Sequence, residues 1–183
     1  MAKQQAEDAP EPEIEVPDPD QGWKALGLVN DWIKHAESKT GVALALAGAT
    51  GGTLYNLVKG LHHPGCVLSL AAVVCGAGVI AAGGCAAMAL LPRMRLDRKR
   101  EDPTNLLFFS HIARAYPKDS PTYVDVLCSL TSKPDELTRH IAHQVHANAT
   151  VAHRKFIWAN RAILALIVAL AALGVVASIA GSR

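Results

Sequence analysis

The run GVALALAGATGGTLYNLV, residues 41–58, contains no Asp, Glu, Lys or Arg and is close to the roughly 20 residues a helix needs to cross a hydrocarbon core. Two more runs share that property. They are GLHHPGCVLSLAAVVCGAGVIAAGGCAAMALLP, residues 60–92, and AILALIVALAALGVVASIAGS, residues 162–182. Lipid offers backbone groups no hydrogen-bond partner, so a spanning segment must be a helix or a strand of a closed barrel. None of the three runs shows the alternation of barrel strands. The sequence therefore predicts an all-α integral membrane protein with three transmembrane helices, at about 41–59, 66–91 and 161–183. The second run exceeds one span, and His62, His63, Pro64 and Gly65 at its start read as a tight turn. A small helical cytoplasmic segment, residues 93–160, separates the second and third spans.

With 183 residues, 50% of them hydrophobic, the chain holds one membrane bundle and one small soluble element, which excludes a large catalytic domain. Residues 1–21 are acidic and proline-rich and lack the basic start and apolar centre of an export signal. They read as a disordered acidic tail.

Lys and Arg are unevenly distributed. Arg93, Arg95, Arg98, Lys99 and Arg100 follow the second span, and Arg154, Lys155 and Arg161 precede the third. By the positive-inside rule residues 93–160 are cytoplasmic. Three spans then place the N-terminus inside as well, where Lys24, Lys34 and Lys39 flank the first span. Cys66, Cys75 and Cys85 lie in the second span and Cys128 in the soluble segment, with no Cys-x-x-Cys or zinc spacing, so free thiols are expected.

The spans are rich in small residues: Gly48 and Gly52 four apart, Gly76, Gly78, Gly83 and Gly84 on the second, and Gly174 with Ser178 on the third. Such faces let helix backbones approach closely, within a protomer or between protomers. No ionisable group of the kind that marks an ion path lies in a span, which argues against a resting channel or pump.

The soluble segment reads as three helices with a possible short strand at its start. Residues 105–116 form an apolar and aromatic stretch closed by Pro117. Ser120 and Pro121 read as an N-cap and first-turn pair, and Ser132, Pro134, Asp135 and Glu136 as the start of the next helix. With no breaker before Gly174, that helix continues into the membrane. Leu137, Ile141, Val145, Ala152, Phe156 and Ala159 fall on one stripe of it, and Arg139, His143, His146, Thr150, His153 and Arg154 on the opposite one. Asn148 and Lys155 interrupt the edge of the apolar stripe and require partners or a ligand. The histidines lack an acidic or cysteine partner, so a solvated basic face is the expectation and no metal site is assigned. Before the first span, residues 22–40, with Trp23, Leu26, Leu28, Trp32 and Ile33, read as an amphipathic interfacial helix.

Three motifs stand in a fixed order relative to the spans. Trp32-Ile33 with Glu37-Ser38-Lys39 precedes the first, Asn105-Leu106-Leu107-Phe108-Phe109-Ser110-His111-Ile112 follows the second, and Arg139-His140-Ile141 leads to Ala152-His153-Arg154-Lys155-Phe156 before the third. In this the chain resembles the Pycsar effector family of bacterial anti-phage defence over about residues 22–181. Two departures stand out: Ala36-Glu37-Ser38-Lys39 where an Ala-Asp-x-Lys type sequence is expected, and Phe156 where tyrosine is common. The resemblance implies a receptor and toxin in one chain. A partner pyrimidine cyclase makes cyclic UMP or cyclic CMP, and the effector then impairs the inner membrane in abortive infection. The cyclase is implied as a functional partner rather than a stably bound one, the bilayer as the site of action, and a homo-oligomer as the active form.

A cyclic mononucleotide carries a phosphate diester, a ribose and a flat base. Its pocket needs cationic or amide donors, polar groups for the base edge and an aromatic face. The candidates for nucleotide binding are Asn105, Phe109, Arg139, Asn148 and Lys155. No Ser-His-Asp order, paired-carboxylate site or phosphate-gripping glycine loop is evident, so a non-enzymatic role is expected, with no cofactor and no nucleic-acid partner. A constitutive scaffold whose basic cytoplasmic face recruits a protein or anionic lipid is the alternative reading; a histidine-dependent membrane enzyme is a third.

Overall fold

The computed structural model describes residues 17–59, 65–91 and 105–182. They form five helices: α1 Pro19–Val58, α2 Cys66–Leu90, α3 Phe109–Ala115, α4 Ser120–Thr131 and α5 Pro134–Gly181. Three of these, α1, α2 and α5, are long and apolar enough to cross a membrane. The protein is thus an all-α integral membrane protein. Residues 1–16 of the acidic tail, the His62-His63-Pro64 part of the expected turn and the basic run after Pro92 lie outside the described residues.

α1 begins inside the stretch read as tail. The Asp18 carboxylate accepts the Asp20 N–H at 2.9 Å, and Pro19 occupies the first helical position, where a missing N–H costs nothing. Residues 22–40 are the stretch read as an amphipathic interfacial helix ahead of the span. They continue into the first span as one 40-residue helix. With no break before Gly41, Trp32 stands about 13 Å along the axis from it, at ~1.5 Å per residue.

The chain divides into two compact units, Met1–Leu26 with Asp102–Val145, and Gly27–Glu101 with His146–Arg183. In the second unit α1 and α5 run parallel. Asn148 pairs with Asn30 and Lys155 with Glu37, each across 118 residues, so both helices advance together. α2 runs against both: Gly51 lies by Val79 and Gly76 by Leu54, while Gly78 lies by Ala165 and Ala169.

On α1 the buried positions of this unit are Val29, Ala36, Thr40, Ala43, Ala47 and Thr50, and on α5 Ala152, Ala159, Ala162, Leu166, Ala169 and Val176. Spacings of three, four and seven keep one seam facing the partner, the pattern of left-handed coiled-coil packing. The core among the spans is built almost entirely of alanine, from Ala43, Ala47, Ala82, Ala86 and Ala162 with Leu166. The Thr40 and Thr50 hydroxyls donate to the carbonyls of Ala36 and Leu46, both at 2.7 Å, and so bring no unpaired donor into the seam.

The first unit contains the start of α1, α3, α4 and the opening turns of α5. Its core is Leu26, Leu130, Leu137 and Ile141, with Leu106, Leu107 and Val145 packed against it. Gly22 permits the closest approach there, since a Cβ on it would stand 3.1 Å from Ile141 Cγ2. Residues 105–108 form a turn rather than the possible strand, and no strand occurs among the described residues. α4 is capped by Asp119, whose carboxylate accepts the Thr122 N–H at 3.2 Å, one residue before the cap expected at Ser120. Ser132 ends α4: its hydroxyl donates to the Ser129 carbonyl at 2.8 Å, and α5 starts at Pro134 without it.

The glycines of the spans divide by surroundings. A Cβ on Gly78 would lie 3.0 Å from Ala169 Cβ and 3.2 Å from the Ala165 carbonyl oxygen, whereas Gly48, Gly52 and Gly174 have nothing within 4 Å. Gly78→Val should therefore destabilise the bundle by about 1–3 kcal/mol through overpacking, with Gly48→Ala nearly neutral. Thermal unfolding of the two variants in one detergent tests this pair.

Candidate functional site

In the first unit, Asn105 organises the turn that precedes α3. Its side-chain oxygen accepts the Leu107 N–H at 3.1 Å, and its amide nitrogen donates to Gln144 Oε1 on α5 at 3.0 Å. Its backbone N–H donates to His111 Nδ1 at 3.0 Å, which leaves the proton of the neutral imidazole on Nε2. Tyr123 on α4 donates to the Leu106 carbonyl at 3.1 Å. The turn of residues 105–108 is thereby tied to α4 and α5 by side-chain bonds, each worth about 1 kcal/mol. The Phe108 ring packs between Phe109 and His111, at centroid distances of 4.9 and 5.2 Å.

The tied turn presents Phe109, 65% exposed, to solvent. Arg139 is exposed on α5. Beside it in sequence, the Thr138 hydroxyl is buried with no hydrogen-bond partner among the described residues. A buried orphan hydroxyl costs about 1–3 kcal/mol, so it marks a position able to accept a ligand or a water.

In the second unit, Asn148 Nδ2 donates to Asn30 Oδ1 at 2.8 Å and Lys155 Nζ to Glu37 Oε1 at 2.6 Å. The Lys155 side chain is 15% exposed and that of Glu37 46%. Next to this pair, Lys39 lies 5.7 Å from the centroid of the Phe156 ring, a cation–π contact that needs no tyrosine hydroxyl. The requirement that Asn148 and Lys155 find partners is thus met by α1.

The five candidates therefore separate. Asn105, Phe109 and Arg139 belong to the first unit, and Asn148 and Lys155 to the second, where both face α1. The stripe of Arg139, His143, His146, Thr150, His153 and Arg154 is exposed throughout, opposite a stripe in which Leu137, Ile141, Ala152 and Ala159 are buried. Gln144, Asn30 and Tyr123 escaped the sequence reading. For Gln144 a signal exists: it stands three residues after Ile141 and four before Asn148, a polar residue on the apolar stripe. Glu37 was visible as part of a motif, but nothing local in the sequence assigns it to Lys155.

The sequence model of the Pycsar effector protein domain matches residues 21–182, from the start of α1 through both units to the end of α5. The chain belongs to the Pycsar effector family. It is 38% identical over 160 residues to the Pycsar effector protein PtPycTM of Propioniciclava tarda, covering 85% of this chain and 77% of that one. No solved structure matches it. Membership makes this protein a transmembrane effector of Pycsar anti-phage defence.

The pairs between α1 and α5 are open to a direct test. Lys155→Ala should lower stability by about 1 kcal/mol, the scale of a partly solvated ion pair. The swap of Glu37→Lys with Lys155→Glu should restore most of that loss, as read in a double-mutant cycle of thermal unfolding.

Proposed function

We propose that this effector is activated by a cyclic pyrimidine mononucleotide, cUMP or cCMP, made by a partner cyclase, and that it then impairs the inner membrane so that the infected cell dies. The observation that carries this reading is the extent of the family match. It takes in the first unit, outside the membrane, as well as the three spans. Among the described residues, that unit is the part with the chemistry to take up a soluble signal.

The first unit supplies the chemistry that such a ligand needs. Phe109 offers an exposed ring face, Arg139 a guanidinium able to hold a phosphate diester by paired N–H donors, and Thr138 a hydroxyl in want of a partner. Asn105 fixes the turn that bears Phe109. The nucleotide contacts are accordingly assigned to Phe109 and Arg139, with Asn105 positioning the turn before Phe109. Asn148 and Lys155, whose polar ends meet Asn30 and Glu37, act on the packing of α1 against α5.

Activation is a two-state shift. α5 is one helix of 48 residues, so a change in how its first turns are held is carried covalently into the span. The active form is a homo-oligomer in the inner membrane, with the N-terminus and residues 93–160 in the cytoplasm, as the distribution of Lys and Arg indicates. A reporter active only in the cytoplasm, fused after Arg183, should stay silent.

In bacteria loaded with a membrane-potential dye, co-expressed cyclases supplying cUMP, cCMP or cAMP should give depolarisation with one pyrimidine nucleotide and none with cAMP. Absence of any response in correctly inserted protein would overturn the ligand assignment. By calorimetry, Arg139→Ala should weaken nucleotide binding at least tenfold, the lower range for a hydrogen bond to a charged group. Phe109→Ala should weaken it as well. Unchanged affinity in both variants would overturn the site.

A further inference from the structure

At the C-terminal end of α1 a groove of about 470 Å³ opens between α1 and α2, lined by Gly51, Leu54, Tyr55, Val58, Lys59, Ala72 and Val73. Five of these residues are glycine or aliphatic, and at Gly51 α1 comes close to α2, a Cβ there standing 3.2 Å from Val79 Cγ1. The groove faces outward, with Tyr55 70% and Val73 68% exposed. It lies in the spanning part of the bundle, so its open side meets lipid. Its polar groups are the Tyr55 hydroxyl and the Lys59 ammonium, the latter 5.9 Å from the centroid of the Tyr55 ring.

Among the described residues no carboxylate pairs with Lys59. From Ser38 to Leu96 the chain contains no Asp or Glu, and none occurs from Leu137 to Arg183. The three ion pairs among the described residues involve Asp31, Glu136 and Glu37, and none of them includes Lys59. Lys59 is therefore a cation at the membrane surface, above an apolar cleft, with no carboxylate within reach in sequence. The anions available at that depth are phosphate diesters of lipid headgroups, which lie at the boundary where a lysine near a span end extends its ammonium.

We propose that this groove is a binding site for an anionic phospholipid. One acyl chain lies along Gly51, Leu54, Val58, Ala72 and Val73, and the headgroup phosphate accepts hydrogen bonds from Lys59 Nζ and the Tyr55 hydroxyl. The lipid joins α1 to α2 at the end of the bundle away from the α1–α5 polar pairs. Charge complementarity favours a lipid over a second copy of the chain, because a second copy has no Asp or Glu in its spans to offer Lys59.

The test uses the full-length protein in a mild neutral detergent, with phosphatidylglycerol or phosphatidylcholine added, read by native mass spectrometry and by thermal unfolding. Wild type should retain phosphatidylglycerol in preference to phosphatidylcholine and unfold at a higher temperature in its presence. Lys59→Gln should reduce that preference about fivefold, the effect of one lysine near an anionic surface. Ala72→Phe, which fills the cleft while retaining Lys59, should abolish both adduct and thermal shift. Equal retention of the two lipids by wild type would overturn the site, as would phosphatidylglycerol adducts unchanged in Lys59→Gln and Ala72→Phe. Dimers that Ala72→Phe dissociates without altering lipid retention would assign the groove to a second copy instead. None of these readouts involves a nucleotide, so the result stands apart from the ligand assignment.

Discussion

In hydrocarbon, helices gain nothing from hiding apolar side chains from one another, because lipid tails are as apolar as leucine. Association must come from close contact, and the second unit obtains it with the smallest side chain that keeps a strong helix former in place. Alanine recurs at the buried positions of all three spans, among them Ala43, Ala47, Ala82, Ala86, Ala162 and Ala169. Alanine loses no rotamer freedom on packing and lets backbones approach within dispersion range. The heptad spacing of those residues on α1 and α5 follows from the same demand, since only a repeat near 3.5 keeps a narrow stripe of small residues facing its partner along the helix.

A seam of alanines holds two helices together without saying which residue faces which. Neighbouring Ala positions are alike in size and distinguish registers weakly, while Val29, Leu166 and Val176 are the larger side chains of the seam. Polar pairs are not interchangeable in that way. Asn30 with Asn148 and Glu37 with Lys155 repeat at the heptad interval on both helices. A slip of one turn would separate each donor from its acceptor at a partly buried site, where a lost partner costs about 1–3 kcal/mol. Polar residues within an apolar seam specify register in coiled coils for the same reason.

Chemistry that is local in sequence was legible, and chemistry that depends on a distant partner was not. The absence of charge in residues 41–58, 66–91 and 162–182 was enough to place three spans, because the bilayer enforces a rule on every residue. The opposite stripes of α5 followed from its period alone. Residues 22–40 were divided from the span because a change in composition looked like a change in element, yet a helix continues through such a change wherever no residue breaks its hydrogen bonds. The Gly48 and Gly52 pair has open space around it while Gly78 fits against Ala165 and Ala169; spacing shows a small face without showing what meets it. The requirement that Asn148 and Lys155 be satisfied could be read, since a polar group on an apolar stripe demands a partner. Which groups satisfy them could not, because Asn30 and Glu37 stand 118 residues away.

The same separation bears on how little free energy a switch in this bundle needs. To carry a two-state protein from about 1% to about 99% active, a ligand must prefer the active state by roughly 10⁴-fold, or ~5.5 kcal/mol. A bundle locked by large interdigitating side chains would raise that demand, since each side chain forced from its hole costs a few kcal/mol. The seam between α1 and α5 is mostly alanine, with Val29, Thr40, Leu166 and Val176 among its larger members. In the switch proposed above, the polar contacts at Asn148 and Lys155 are of the same order as one charged contact to the ligand, about 1–3 kcal/mol. On that proposal, a seam sparing in side-chain volume is also one whose packing a small ligand can shift.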